Sequence, residues 1–403
     1  MKDNENDEKM KRNFEFYSNQ KILEGLGSIE KLEQKLRNEM ENNQNTDLNK
    51  DMKHLIGIHR SDLAFQLEEE VDMNNQIDFL TGNSSKSNLI FVDSKEYPPI
   101  IEKYFPFKKR MMINAITKET MQFVDEYVNS DQHENSKTIL LIHGNASWSF
   151  TWRKVISNLK KSDKNLRIIA PDLMGFGFSS RLNFRRHSME MHLNNVLQLI
   201  LGLELKNIIL VGCEWGGLIS NLLAARLPSR IEGVIMMNNL DIIPQLFEHS
   251  NSIFSKIYKK SVHFPVVRML FFHASKAPFD YFNQDFKMNK EEKEAHDLPF
   301  MGWSDRSSIL GLAHLLPHQK NGTNKMIEES LQWAQENRNP FHILLPNNFN
   351  SHSFDSIMEK IRLCYPSAHI TYSRTNSKSI QEEDSLSISN LILSTISKKI
   401  SKL

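Results

Sequence analysis

Residues 207–217 have the sequence NIILVGCEWGG, which carries the clearest structural signal in this 403-residue chain. An apolar run fills the first half, and glycines at positions 212, 216 and 217 surround Glu214 and Trp215 in the second half. Continuous apolar runs are typical of strands that are buried on both faces, and glycines allow a sharp turn and a close approach of the following helix. The stretch therefore predicts a buried strand, a strained turn centred on Glu214, and a helix over residues 215–227.

Similar apolar runs recur on both sides of this stretch at spacings that leave room for helices. They predict strands over residues 138–142, 166–170, 233–237, 340–345 and 368–372, after two adjacent strands at 109–116 and 120–127. Helices are expected between them, at residues 148–160 and 187–203. This order predicts a three-layer α/β fold with a mostly parallel, eight-stranded sheet. The core is expected over residues 95–245 and 340–403, with a helical cap, residues 246–339, inserted over the strand ends.

Residues 1–90 differ in composition from the rest, being rich in Asn, Lys, Glu and Asp. Apolar residues recur there at helical spacing, which predicts one amphipathic helix: Ile22, Leu26, Ile29, Leu32, Leu36 and Met40. One interpretation is a helix that binds a protein partner or forms a coiled coil. The second is a helix that packs on its own domain, or a mostly disordered tail with nascent helicity. The stripe is shorter than a convincing coiled coil requires, which favours the second interpretation.

Composition excludes several classes of function. The chain has 50 Lys and Arg against 49 Asp and Glu, so no basic field is available to bind nucleic acid. Its two cysteines, Cys213 and Cys364, match no metal-ligand spacing and suit a reducing compartment. The sequence shows neither a secretory signal at its start nor an apolar run of about 18 residues. We therefore expect a soluble, cytoplasmic protein without a metal or other cofactor.

Two further motifs follow predicted strands. HGNA occupies residues 143–146, and PDLMGFGFS occupies residues 171–179. The carboxyl ends of parallel strands meet at one edge of a sheet, so both motifs are expected beside Glu214. A small–x–X–x–small–small pattern between a strand and a helix is a nucleophile elbow, which makes the Glu214 carboxylate the candidate nucleophile. Asp172 is interpreted as a turn and helix-cap residue, and Cys213 as a buried filler.

Three segments carry a resemblance to a known family: LLIHGNASWSFTWRKVI, RIIAPDLMGFGFSSR and NIILVGCEWGGLISNLLAARLPSRIEGVIMMNN. Together they resemble the α/β-hydrolase superfamily, and within it the haloalkane dehalogenases with their epoxide hydrolase and coelenterazine luciferase relatives. The resemblance implies that an elbow carboxylate expels halide to form an alkyl ester, which water activated by a histidine then opens. It also implies that Asn145 and Trp215 bind the leaving halide through side-chain N–H groups and supply the oxyanion hole through backbone N–H groups.

The triad positions depart from the family. Glu214 stands where the family has Asp, and the additional methylene displaces the oxygen by more than an ångström, an error that can cost about a hundredfold in rate. Lys378 occupies the histidine position, and no histidine follows His369. Asn238 occupies the position of the orienting acid, and Asn347 and Asn348 follow the other strand that can carry it. A lysine with its ordinary pKa near 10.4 is a poor base at neutral pH.

These departures leave three hypotheses of different classes. The first is a dehalogenase-type hydrolase with an impaired triad, acting on a small apolar substrate. The second is a non-catalytic member of the fold that binds a small ligand, and the third is an interaction protein that acts through its N-terminal helix. If the register is shifted, Asp241 and His352 are the nearest replacement acid and base. We also expect an ion pair between Glu214 and Lys378, because each compensates the other's burial.

Overall fold

The computed structural model describes residues 89–129, 136–183, 186–237, 288–302, 304–315, 323–336, 339–347, 354–377 and 379–400. The predicted N-terminal helix lies outside the described residues. The same holds for five residues that the sequence singles out: Lys378, Asn238, Asp241, His352 and Asn348. The expected ion pair of Glu214 with Lys378 therefore stays a prediction.

A sheet forms the centre of the described structure. Its strands are β1 (Leu89–Asp93), β2 (Lys109–Asn114), β3 (Thr120–Val128), β4 (Lys137–Ile142), β5 (Leu166–Pro171), β6 (Ile208–Cys213), β7 (Ile231–Met237), β8 (Phe341–Leu345) and β9 (His369–Tyr372). The spatial order is β1-β2-β3-β5-β4-β6-β7-β8-β9. The first three strands pair antiparallel, as does β3 with β5, and all pairings from β5 to β9 are parallel. The predicted mostly parallel sheet is confirmed.

The described sheet has nine strands, whereas eight were expected. The additional strand is β1, which pairs antiparallel with β2 at the edge and begins inside the range assigned to the N-terminal extension. Its residues are only partly buried, in contrast to β4, in which five consecutive residues are buried. Residues 89–92, Leu-Ile-Phe-Val, form an apolar run like those of the inner strands, but this run stands at the end of the polar range assigned to the extension.

Helices cover the sheet. They are α1 (Pro99–Glu102), α2 (Arg153–Leu159), α3 (Met189–Gly202), α4 (Trp215–Arg226), α5 (Lys290–Asp297), α6 (Ser307–His314), α7 (Thr323–Glu336), α8 (Phe354–Cys364), α9 (Ile380–Glu383) and α10 (Ser385–Ile400). The Ser188 side chain caps α3 by accepting from the backbone N–H of Met191. The first ten residues of α4 are all buried, so this helix lies centrally against β6.

The described part of residues 246–339 contains helices and no strand. Two of these helices contact the loop that follows β4: the Trp148 Nε1–H donates to the carbonyl of His296 in α5, and the side chain of Asn145 contacts α6. Helices α5 and α6 therefore lie over the strand ends, where a cap was expected. By contrast, α7 packs against α4, in the layer of the core helices.

Candidate active site

Glu214 lies on the strained turn that the sequence predicts between β6 and α4. Its backbone has φ 50° and ψ −121°, in the left-handed region that a residue with a side chain rarely adopts. Its N–H donates to the carbonyl of Met237 at 2.9 Å. A Cβ on Gly212 would lie 2.2 Å from the Gly216 carbonyl oxygen, and a Cβ on Gly216 would lie 2.1 Å from that of Ile142. Only glycine at both positions lets the turn close in this way.

The sheet register brings this turn beside the HGN motif. Ile142 at the end of β4 pairs with Gly212 in β6, so the residues that follow each strand are neighbours. The Oε2 atom of Glu214 accepts a hydrogen bond from the backbone N–H of Asn145 at 3.2 Å. A Cβ on Gly144 would lie 2.6 Å from the same oxygen, so the glycine leaves the space that the carboxylate occupies.

The side chain of Asn145 points toward the cap. Its Nδ2 donates to the carbonyl oxygen of Ile309 in α6 at 3.1 Å, and its Oδ1 accepts from the N–H of Ala146 at 2.9 Å. Trp215, the other residue that the resemblance assigns to the leaving group, is 4% exposed directly after Glu214. The structure thus brings Glu214, Asn145 and Trp215 together at one point of the sheet edge.

His143 connects the first two motifs. Its Nε2 accepts from the backbone N–H of Leu173 at 2.9 Å, so the proton of the neutral ring is on Nδ1, which donates to the Gly144 carbonyl at 2.7 Å. The side chain is fully buried, and burial lowers its pKa to about 4. Both ring nitrogens form hydrogen bonds and the ring stays neutral at pH 7. His143 therefore has a structural role, since it joins the loop after β4 to the loop after β5 by hydrogen bonds.

Asp172 holds the loop after β5. Its carboxylate is buried and accepts from the backbone N–H groups of Ser149 and Phe178, each at 2.9 Å. Burial raises its pKa to about 6, against the opposing effect of these two donors. A Cβ on Gly177 would lie 2.2 Å from Asp172 Oδ2, which explains the glycine in this loop. These contacts agree with the interpretation of Asp172 as a turn and capping residue.

The sequence reasoning missed a buried ion-pair network beside the C-terminal segment. Arg153 in α2 donates to Glu382 in α9 and pairs with Glu292 in α5 at 2.9 Å, and Lys154 pairs with Glu382 at 3.0 Å. The side chains of Arg153 and Glu382 are 4% and 0% exposed. Because α9 begins two residues after position 378, the network fixes the segment that follows the triad position. In the sequence, the only sign of this network was the position of Arg153 among the apolar residues of a predicted helix.

Asn347 follows β8, and Cys213 is the last residue of β6. Asn347 is exposed, and its N–H donates to the carbonyl of Thr375 at 2.8 Å. Cys213 is buried and unpaired, and burial raises the pKa of its thiol, in agreement with a filler role.

Within the ranges given above, no cluster of three or more His, Cys, Asp or Glu side chains is suited to a metal ion. None of the helices in those ranges is long and apolar enough to cross a membrane.

Comparison with known proteins agrees with this geometry. A family model for the alpha/beta hydrolase fold matches residues 137–257. The haloalkane dehalogenase DbeA from Bradyrhizobium elkani superposes with a TM-score of 0.61 at 16% identity, covering 78% of this chain and all of DbeA. At that identity the similarity shows the fold alone. The chain therefore has the α/β-hydrolase fold.

Two relatives with similar sequences indicate which members of the superfamily this chain resembles. Haloalkane dehalogenase 2 of Mycobacterium tuberculosis is 31% identical over 134 residues, which are 33% of this chain and 43% of that enzyme. The cis-3-alkyl-4-alkyloxetan-2-one decarboxylase of Shewanella oneidensis is 26% identical over 237 residues, 56% of this chain and 68% of that enzyme. The match thus spans less than half of the dehalogenase, and the chain is haloalkane dehalogenase-like in its fold and over a third of its sequence.

Proposed function

We propose that this chain is a dehalogenase-type α/β-hydrolase whose altered triad lets Glu214 bind a small apolar molecule, or become alkylated by it, without turnover. The observation that carries the proposal is the hydrogen bond from the Asn145 N–H to Glu214 Oε2 at 3.2 Å. When a carboxylate displaces a leaving group, one oxygen forms the bond to carbon and the other becomes the ester carbonyl oxygen. An N–H group that donates to Oε2 stabilises the negative charge that develops on that oxygen.

The residue types at the expected base and acid positions support the loss of turnover. Opening the ester requires a group that removes a proton from water, and no histidine follows His369 in the sequence. Position 378 holds a lysine, which is a poor base at its ordinary pKa near 10.4, and Asn238 at the acid position has no negative charge with which to orient a base. His143 is close in sequence to Asn145, but both its nitrogens are engaged.

A purely non-covalent ligand-binding role is the second candidate. The hydrogen bond from the Asn145 side chain to Ile309 favours it, because one of the two amide N–H groups is engaged by the cap and only the other remains for a leaving group. That the predicted helix over residues 22–40 binds a protein partner remains a prediction. A cytoplasmic location is likewise proposed from the two unpaired cysteines.

Incubation with a 1-bromoalkane tests the proposal. The Glu214 carboxylate oxygen forms a C–O bond while the C–Br bond breaks and bromide leaves with the electron pair. We expect at most one bromide per protein molecule and an intact mass increased by one alkyl group. Sustained bromide release would contradict the impaired triad. Saturable ligand binding with no bromide would favour the second candidate.

Glu214→Gln is the matched control. Its amide oxygen still accepts from the Asn145 N–H, but a neutral amide is a far weaker nucleophile than a carboxylate. This variant is expected to release no bromide and to show no added mass. An adduct in the variant would place the alkylation on another residue.

A further inference from the structure

Two histidines are buried side by side where cap helix α6 meets the core. The Nδ1 of His187 lies 3.0 Å from the Nε2 of His192, a distance at which one neutral ring donates to the other. His187 is 5% exposed and His192 is fully buried. The other nitrogen of each ring, Nε2 of His187 and Nδ1 of His192, has no hydrogen-bond partner in the described structure. The pair therefore holds one shared proton and has no acceptor there for a second.

Helix α6 covers one edge of the His187 ring. A Cβ on Gly311 of α6 would lie 2.3 Å from Cδ2 of His187, and a Cβ on Gly175 in the loop after β5 would lie 3.0 Å from its Cε1. The Nε2 atom lies between these two carbons in the imidazole ring. Helix α6 and this loop together therefore separate Nε2 from water, and movement of α6 exposes it.

The described surroundings of the pair offer no acceptor to a protonated ring. Neither ring hydrogen-bonds to a carboxylate within the described ranges. The charged and titratable side chains on the surrounding elements are Arg186, paired with Glu119; Glu190, partly buried in the first turn of α3; Asp172 and His143, hydrogen-bonded as described above; Arg181, paired with Asp305; Arg306, which donates to the Phe300 and Met301 carbonyls; Arg226 of α4, paired with Glu329; and His314 of α6. A second proton on the pair is therefore a buried positive charge without a hydrogen-bonded counter-ion.

The position of His187 in the chain also disfavours a positive charge. It directly precedes Ser188, the N-cap of α3, and the N-terminal end of a helix carries a partial positive charge. Burial, with a smaller effect of the positive charge of Arg186, lowers the pKa of His187 to about 3, from an ordinary value of 6.5. With α6 in place, His187 therefore stays neutral at any mildly acidic pH.

We propose that mildly acidic pH releases cap helix α6 from the core, because His187 takes up a proton once α6 has moved away from its ring. The open state binds a proton that the closed state does not, so the equilibrium shifts toward the open state as the pH falls below about 6.5. Ile309 of α6 accepts from the Asn145 side chain beside Glu214, so release of α6 uncovers the elbow. In that consequence the inference rests on the proposed site at Glu214.

Amide hydrogen exchange at pH 7 and pH 5, without any ligand, tests the release of α6. Each rate is divided by the intrinsic rate of the unfolded peptide at the same pH, which gives a protection factor. Protection of residues 307–314 should fall about tenfold or more between pH 7 and pH 5, because the open state gains a proton. Strands β4 and β6 report global unfolding, and α6 should be less protected than both strands at each pH.

Two results in the wild type would overturn the proposal. Unchanged protection of α6 between the two pH values would show that its opening takes up no proton. Protection of α6 equal to that of β4 and β6 at both pH values would show that α6 opens only when the whole domain unfolds.

His187→Asn tests whether this ring takes up the proton. The Asn amide still reaches toward Nε2 of His192 but does not titrate, so the fall in α6 protection should shrink to less than about threefold. His314→Gln is the matched control, because it removes the histidine that α6 itself carries and should retain the wild-type response. A full response in His187→Asn, or its loss in His314→Gln, would overturn the proposal. None of these measurements uses an alkyl halide, so failure of the proposed function in the bromide assay remains distinguishable.

Discussion

The carboxylate of Glu214 accepts a hydrogen bond from the backbone N–H of Asn145 at 3.2 Å, although the two residues are 69 positions apart in the chain. The contact exists because β4 and β6 are parallel neighbours whose carboxyl ends meet at one edge of the sheet. It explains how the HGN motif acts on the elbow through its backbone while its side chain contacts the cap. The following predictions test the site and the structure that supports it.

Shortening the elbow side chain is not expected to restore turnover. Glu214→Asp withdraws the carboxylate by one methylene and leaves position 378 without a histidine, so bromide release should stay at or below one equivalent. Adding Lys378→His and Asn238→Glu supplies a base and an orienting acid, and this triple variant should exceed one equivalent. The control carries the same two changes with Glu214→Gln and should release none.

Gly216→Ala should destabilise the protein strongly. The added Cβ would lie 2.1 Å from the backbone oxygen of Ile142, which cannot move without distorting β4. We expect a loss of at least about 3 kcal/mol in the free energy of unfolding, measured by urea denaturation. Gly233→Ala is the comparison, since its Cβ would lie 3.0 Å from a methyl group of Thr395. A loss at position 216 no larger than that at 233 would contradict the close turn.

Removing the buried arginine should cost more than removing an exposed lysine. Arg153→Met leaves Glu382, whose side chain is fully buried, without its guanidinium partner, and the expected loss is about 3–5 kcal/mol. Lys103→Met breaks an ion pair with Glu291 whose side chains are 58% and 54% exposed, and should cost less than about 1 kcal/mol. Equal losses in urea denaturation would show that the buried network contributes no more than a surface pair.

Buried histidines should make stability fall between pH 7 and pH 5. The Nδ1 of His187 lies 3.0 Å from the Nε2 of His192, and burial lowers the pKa of His187 to about 3, from an ordinary value of 6.5. The unfolded chain therefore takes up protons that the folded protein does not, and stability is lost as the pH falls below about 6.5. Asp172, with its pKa raised to about 6, has the opposite sign and offsets part of the loss between about pH 6 and 4.

His187→Gln removes one of these groups, and between pH 7 and pH 5 it should lose about 1–2 kcal/mol less stability than the wild type. His187→Asn, which also lacks the titrating ring, should show the same reduction. Unfolding free energies measured by urea at the two pH values check both variants. An unchanged pH dependence in His187→Gln would mean that His187 takes up its proton equally in the folded and unfolded states.

Much of the fold was predictable because burial restricts which residue types a segment can contain. Strands with both faces covered must be apolar at successive positions, and β4 to β8 were recognised to within about two residues at each end for that reason. The turn at Glu214 was predictable because backbone atoms of Gly216 and of Ile142 lie too close to positions 212 and 216, respectively, for a side chain to fit there. Strand β1 also has an apolar run, at residues 89–92, and was missed because that run stands at the end of the polar N-terminal range.

The sequence by itself determined the α/β architecture, the elbow at Glu214 and the three motifs around it, since each depends on residue types at fixed local spacings. Tertiary structure alone decided which partners these residues have. The Ile309 carbonyl is a backbone group with no signature in the residue type, and it reaches Asn145 only because α6 folds over β4. Likewise Arg153 and Glu382 are 229 residues apart, and only the packing of α2 against α9 makes them an ion pair. Local propensities specify elements, whereas contacts between distant elements follow from how the buried surfaces pack together.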